Sequence, residues 1–359
     1  YTAAVAGLAG AKAGNYQLPE EGLTQSYTIN RAALTIASVA VEGKTYDGTT
    51  DAKVTSVTFS GLQNGEELVS GTDYTVAGVF AEADVGERTV TVTVTMKDTA
   101  KAKNYQLEKT TATATATITP VQTTLELTAK DAVYTGSAYD AETKLTASSN
   151  VENATITYTY YADNNGEKGA KLDGAPVNAG TYWVEGYIAA SGNNSEVTSD
   201  AVQFQITKAP LTATAENKSA TYGDTAPAYT VRYAGFVNNE TESVVTGLIT
   251  FDCAYAAGSD AGEYAITPKG ATAANYAITF VEGKLTVGKR TAALEWSGYA
   301  ERTYDGKASS VTASVTNKLT GDDVTVTVTG GDAVNAGTYT AAATGLAGAK
   351  AGNYQLPET

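Results

Sequence analysis

The chain is 359 residues long and carries 24 Lys and Arg against 39 Asp and Glu, a net charge of -15; its surface repels nucleic-acid phosphate and anionic lipid, so neither is an expected partner. Histidine is absent, which removes the commonest general base and metal ligand at neutral pH, and a single cysteine, Cys253, excludes an intrachain disulfide. Residues that suit pleated, half-buried surfaces dominate, among them 23 tyrosines and many Val and Thr, and they predict an all-β chain.

In chain order, residues 1–31 read as two closing strands of a partial module. They contain the string GLAGAKAGNYQLPE at 7–20, which returns at 345–358. Residues 32–120 form a first full module, with a TYDG turn at Tyr46, strict alternation in TVTVTVT at 89–95, an Asn104-Tyr105 pair and a closing TATATATITP. Residues 121–208 form a divergent module, with VYTG at Tyr134, ATITYTY at 154–160 and NAGTY ending on Tyr182, but no Asn-Tyr pair. Residues 209–289 carry TYGD at Tyr222, DAGEY ending on Tyr264, and Asn275-Tyr276. Residues 290–359 carry TYDG at Tyr304, NAGTY ending on Tyr339, and Asn353-Tyr354, and lack a final strand.

The turn tyrosines 46, 134, 222 and 304 are spaced by 88, 88 and 82 residues, a domain-sized period. Period-two alternation over seven residues is the mark of a half-buried strand, and turn signals every 8 to 12 residues or so are those of a sandwich of short strands. Each closing strand runs into the next module with no Gly/Ser linker. Residues 1–20 and 339–358 agree at 18 of 20 positions, so the natural protein is expected to repeat a four-module unit.

Residues 32–120, through KTYDGTTDA, the 59–92 stretch and NYQL, resemble the YDG repeat domains of bacterial surface proteins, and residues 290–359, through RTYDGKAS and NAGTYT, resemble a shorter relative. Residues 209–289, through SATYGDTAPAYTVRYAGFV and ANYAITFVEGKLTV, resemble the MBG repeat domain, with Asn239 where that pattern usually has Gly. The resemblance implies tandem immunoglobulin-like β-sandwich modules in an extended rod, as in large exported adhesins. It implies no catalytic residues and no cofactor.

The Asp47-Gly48 and Asp305-Gly306 steps supply tight turns, and the tyrosine beside each is expected to cap its own sandwich, ring inside and hydroxyl on backbone. The acidic loops at 321–323 and at Asp252 and Asp260 read as solvated carboxylates, since no calcium-loop ladder is present and no metal site is assigned. LPET at 356–359 resembles the start of a sortase signal, but its internal counterpart LPEEG at 18–22 favours a continuing chain. Cys253 is expected to be a buried small hydrophobe.

The candidate ligand-binding residues are Trp183, Glu185 and Tyr187, which alternation turns outward on one strand. The two aromatic residues would lie roughly 13 Å apart, a spacing that suits stacking on sugar rings. The competing reading packs them under a neighbouring loop or on the other sheet. The favoured function is the stalk of a bacterial cell-surface adhesin or fibre, extracellular and not an enzyme, each module adding roughly 40 Å. Its expected partners are neighbouring modules, with residues 23–30 either completing the open edge of another copy head to tail or continuing a longer array; the alternative is glycan or host-protein binding by residues 121–208.

Overall fold

The structure, a computed structural model, describes residues 1–358. It divides into two compact units, one of residues 1–127, 147–158 and 185–200, the other of the remainder. Strands make up nearly all the regular structure, and the one α-helix among the described residues is the single turn Ala141–Lys144. Thr359, which ends the LPET string, lies outside the described residues.

In the first unit the TVTVTVT alternation becomes the strand Gly86–Met96. Val90, Val92 and Val94 are fully buried and the threonines between them exposed. This strand lies between Thr111–Thr119 and Tyr74–Phe80 in a five-stranded sheet whose edges are Lys44–Thr45 and Asp51–Ala52. A second sheet sets Ala32–Val41 between Val54–Ser60 and Tyr105–Leu107. Ile36, Val57 and Phe59 of the second sheet pack on Tyr74, Phe80 and the valine row of the first, so the two share one core. Burying each such side chain contributes about 1.5–3 kcal/mol. Ahead of them Thr2–Ala4 pairs antiparallel with Thr24–Ser26. Every residue of that pair is exposed, and Tyr1 stacks on Tyr27 at 5.9 Å.

In the second unit, Ala209–Ala215 lies between Val231–Ala234 and Tyr276–Val281, and a four-stranded sheet runs Lys218–Thr221, Gly283–Gly288, Gly262–Lys269, Thr250–Asp252. The core between them does not stop at residue 288. Ala215, Tyr222, Ile266, Leu285 and Val287 continue into Ala292, Val315, Val324 and Tyr354. Cys253 is half-buried against this core, less enclosed than the sequence suggests. A further sheet, of which residues 157–158 and 185–188 count with the first unit, orders Ala132–Val133, Val202–Thr207, Gly180–Ile188, Thr157–Asn164 and Glu167–Lys171. In it Tyr139 lies on Phe204 at 4.0 Å, and burial pushes the Tyr139 hydroxyl up to about 12.

Two parallel pairings recur along the chain. The first strand of a segment pairs with the strand at its Asn-Tyr step: Ala32 with Tyr105, Ala209 with Tyr276, Arg290 with Tyr354. A short strand just before the turn tyrosine pairs with the closing strand: Lys44–Thr45 with Ile118 and Thr119, Ala132–Val133 with Ile206 and Thr207, Lys218–Thr221 with residues 285–288.

Candidate functional site

On the strand Gly180–Ile188 the alternation is as the sequence implies, with Val184, Gly186 and Ile188 buried and Tyr187 exposed. Trp183 is half-buried, and its indole N–H donates to Asp163 Oδ1 at 2.9 Å. That hydrogen bond, followed by one from the Gly166 amide, holds the Asp163 carboxyl below the usual range. Glu185 is half-buried. Tyr187, 37% exposed, donates its hydroxyl to Glu196 at 2.8 Å. The polar atom of each aromatic side chain is therefore held by a carboxylate of the protein itself.

The turn tyrosines are anchored alike. The backbone N–H of Tyr46, Tyr134 and Tyr222 donates to the carbonyl of Thr119, Thr207 and Gly288, the last residue of each closing strand. Each ring thus stands where the chain passes into the next segment. The hydroxyls of Tyr134 and Tyr222 reach beyond their own segments. Tyr134 donates across the boundary to Glu240 Oε1 at 2.7 Å, and Tyr222 approaches Asp322 Oδ1 at 3.2 Å. The sequence expectation of local capping was made for the tyrosines beside Asp47-Gly48 and Asp305-Gly306, and the Tyr46 ring does pack on its own core; at Tyr134 and Tyr222 the side chain instead reaches a charged acceptor beyond its own segment, the stronger kind of partner. Bonds of the expected kind are made instead by the second set of tyrosines, Tyr182 to Asn178 O at 2.9 Å and Tyr264 to Asp260 O at 2.6 Å.

Each acceptor also takes the tyrosine of its own Asn-Tyr step. Tyr276 donates to Glu240 Oε2, and Tyr354 to Asp322 Oδ2 at 2.6 Å. The acceptors end tight turns, 237–240 and 319–322, whose first N–H donates to the same tyrosine oxygen, Val237 at 3.1 Å and Leu319 at 2.8 Å. Asn239, in place of the usual glycine, keeps its turn by adopting a φ of 57°. The hydrogen bonds of Tyr276 and then Tyr134 hold the Glu240 carboxyl below the ordinary glutamate range. Burial, and then Asp322, raises the Tyr222 and Tyr354 hydroxyls.

An asparagine completes each boundary. Asn275 Oδ1 accepts from Ala179 N–H at 3.0 Å while its Nδ2 donates to Asn178 Oδ1 at 3.0 Å. Asn353 does the same to Ala261 N–H at 2.8 Å and Asp260 Oδ1 at 2.7 Å, and Lys350 adds an ion pair to Asp260 at 2.6 Å. In the first unit Asn193 holds Val85 N–H at 3.0 Å and Asp84 Oδ1 at 3.1 Å.

Residues 121–208 lack the Asn-Tyr pair, as the sequence reads, but Asn193 keeps the asparagine half of its role. SGNN at 191–194 stands where AGNY stands elsewhere, and Val121 bridges in parallel to Asn194 as Arg290 does to Tyr354. The clamp is kept while the tyrosine and its carboxylate are not. The sequence signal was the Gly-Asn step in SGNN; for the acceptors it was the turn ending in an acid, QNGE, VNNE and LTGD.

Among the described residues no three of Cys, Asp and Glu gather to hold a metal ion. Charge-assisted hydrogen bonds hold both boundaries of residues 209–288, and the later boundary also has a shared core.

The YDG domain family matches residues 30–115 and 289–359, and the MBG domain (YGX type) matches residues 211–286. No curated protein matches the chain. Among solved structures, Drosophila N-cadherin EC1-4 aligns at 8% identity over 73% of this chain and 76% of that one, with a TM-score of 0.19. Drosophila N-cadherin EC1-3 aligns at 11% over 73% and 91%, with a TM-score of 0.17.

Proposed function

The chain is a tandem of YDG and MBG domains, a repeat region of the adhesin-like surface-protein type, and from that premise we propose that it is a structural stalk segment that projects a distal binding region outside a bacterial cell. One observation carries the reading: the contacts across the two boundaries of the MBG domain are made twice with the same parts, a tyrosine pair on one carboxylate and an asparagine clamp on the preceding loop. A chain whose domains only needed to be joined would use a flexible linker; here Lys208 is followed at once by the strand Ala209–Ala215, and Gly288 by Lys289 and the strand Arg290–Thr291. Neither domain family is known for enzymes.

Small-angle scattering on the chain tests this. A stalk of four domains gives a maximum dimension of about 150 Å from strands of ordinary length. A compact particle removes the reading.

A further inference from the structure

The boundary at Pro120 is built with fewer attachments than the two that follow it. At each boundary an asparagine near the junction clamps a loop of the preceding segment. Clamp and junction lie side by side: Val121 N–H donates to Asn193 O at 2.9 Å, and Ala209 N–H to Asn275 O at 2.9 Å. Two adjacent attachments act as one pivot, so the angle between segments is fixed only by a further attachment away from it. At the two boundaries of the MBG domain the turn tyrosine supplies this, on Glu240 and on Asp322. Asn238 Nδ2 strengthens the first with a bond to Gly136 O at 3.1 Å, and a shared core strengthens the second.

The boundary at Pro120 has no such third attachment. Tyr46 packs on the core of its own domain, and its hydroxyl makes no hydrogen bond among the described residues. The loop after the strand Leu145–Ser149 stands where the acceptor turn stands elsewhere, but it is built differently. Asn153 alone has a positive φ there, 54°, whereas Asn238 and Asn239 in the MBG domain have 51° and 57°. The acid of this loop, Glu152, is exposed and accepts no hydrogen bond among the described residues. The hydrogen bonds that cross the boundary among the described residues all come from the Asn193 side chain, to Val85 N–H and Asp84 Oδ1. Thr119 is held on one side through Tyr46 N–H, and Val121 on the other through Asn193 and Ser195, which leaves Pro120 between two anchored ends.

We propose that Pro120 and Asn193 form a hinge about which the first YDG domain swings against residues 121–208, while the boundaries of the MBG domain keep their angle. A few residues at the end of an element absorb such a motion, and proline's fixed φ confines it to a narrow path. The hinge holds whether or not the chain is a stalk; in a stalk it concentrates bending at one joint and spares the others.

Distances between pairs of spin labels test it, in a Cys253→Ala background so that only introduced cysteines are labelled. Thr91→Cys with Thr198→Cys spans the hinge, and Gln205→Cys with Thr286→Cys spans the first MBG boundary; all four positions are exposed. The distance distribution across the hinge is expected to be about twice as broad as the other. Asn193→Ala is expected to broaden the hinge pair and leave the second pair unchanged, and Tyr134→Phe with Tyr276→Phe to do the reverse. Tyr46→Phe is expected to change neither. Equal widths in the two pairs before any further substitution overturn the proposal, and this comparison decides even where a variant fails to fold. A hinge pair that Asn193→Ala leaves unchanged overturns it too, as does one that Tyr46→Phe broadens, because the tyrosine is then an attachment after all.

Discussion

Tyr222 meets Tyr354 edge to face, ring centres 5.5 Å apart and planes at 71°, and their hydroxyls lie at opposite oxygens of Asp322. Tyr134 and Tyr276 repeat the arrangement on Glu240 at 5.6 Å and 79°. One tyrosine of each pair comes from before the boundary and the other from beyond it. The carboxylate therefore binds the two segments to each other as well as satisfying two hydroxyls. Asp and Glu both serve because the acceptor turn is rebuilt around them: Thr320-Gly321 before Asp322, Asn238-Asn239 before Glu240.

Tyr134→Phe keeps the ring and removes one charge-assisted hydrogen bond, so the boundary is expected to lose about 1–2 kcal/mol. Amide exchange at residues 237–240 reads this locally. Adding Tyr276→Phe is expected to cost less than the sum of the single changes, since both hydroxyls serve one acceptor.

The pH dependence of the same boundary has a definite sign. Glu240 has a folded-state pKa below its unfolded value, first through Tyr276 and then Tyr134. Its stabilising contribution is thus complete above the ordinary glutamate value, about 4.3, and is lost as pH falls through the lower folded value. Wild type is expected to lose exchange protection at 237–240 below about pH 4, and Glu240→Gln to show no such step. Equal acid sensitivity in the two proteins contradicts this.

Gly136 and Gly48 share a φ of 76° but not their surroundings. A Cβ on Gly136 would lie 2.5 Å from Asn238 Cβ, whereas one on Gly48 meets nothing nearer than the Tyr46 hydroxyl at 3.9 Å. Both substitutions to Ala carry the backbone cost, about 1 kcal/mol or more. Gly136→Ala is expected to cost more than Gly48→Ala in parallel thermal melts, and the excess measures the contact across the boundary.

Asn275→Ala removes the acceptor for Ala179 N–H and the donor to Asn178. Faster exchange at the Ala179 amide is expected, with the Ala261 amide, held by Asn353, unchanged. The reverse is expected for Asn353→Ala.

Much of this fold is readable in the chain because period-two alternation and turn residues act locally. The valine row at 90, 92 and 94 needs no distant partner to be identified as an inward face. The alternation at 154–160 is less reliable: the strand begins only at Thr157, after a turn in which Asn153 adopts a φ of 54°. What the recurring tyrosines and asparagines face is not readable from spacing. Tyr134 finds its carboxylate 106 residues away, and a repeat shows which residues recur without showing that each copy contacts the next. The Trp183 indole was legible as lying on the outward side of its strand, but not its bond to Asp163, which depends on how two strands of one sheet are set side by side.

The short strand before each turn tyrosine and the closing strand run the same way, side by side. A chain pulled from its two ends draws these strands in opposite directions along their length, so their hydrogen bonds are loaded together in shear and none can open first like the teeth of a zip. Two residues pair in this way at Lys44–Thr45 and at Ala132–Val133, but four at Lys218–Thr221. By this count the MBG domain is expected to resist shear longer than the two segments before it.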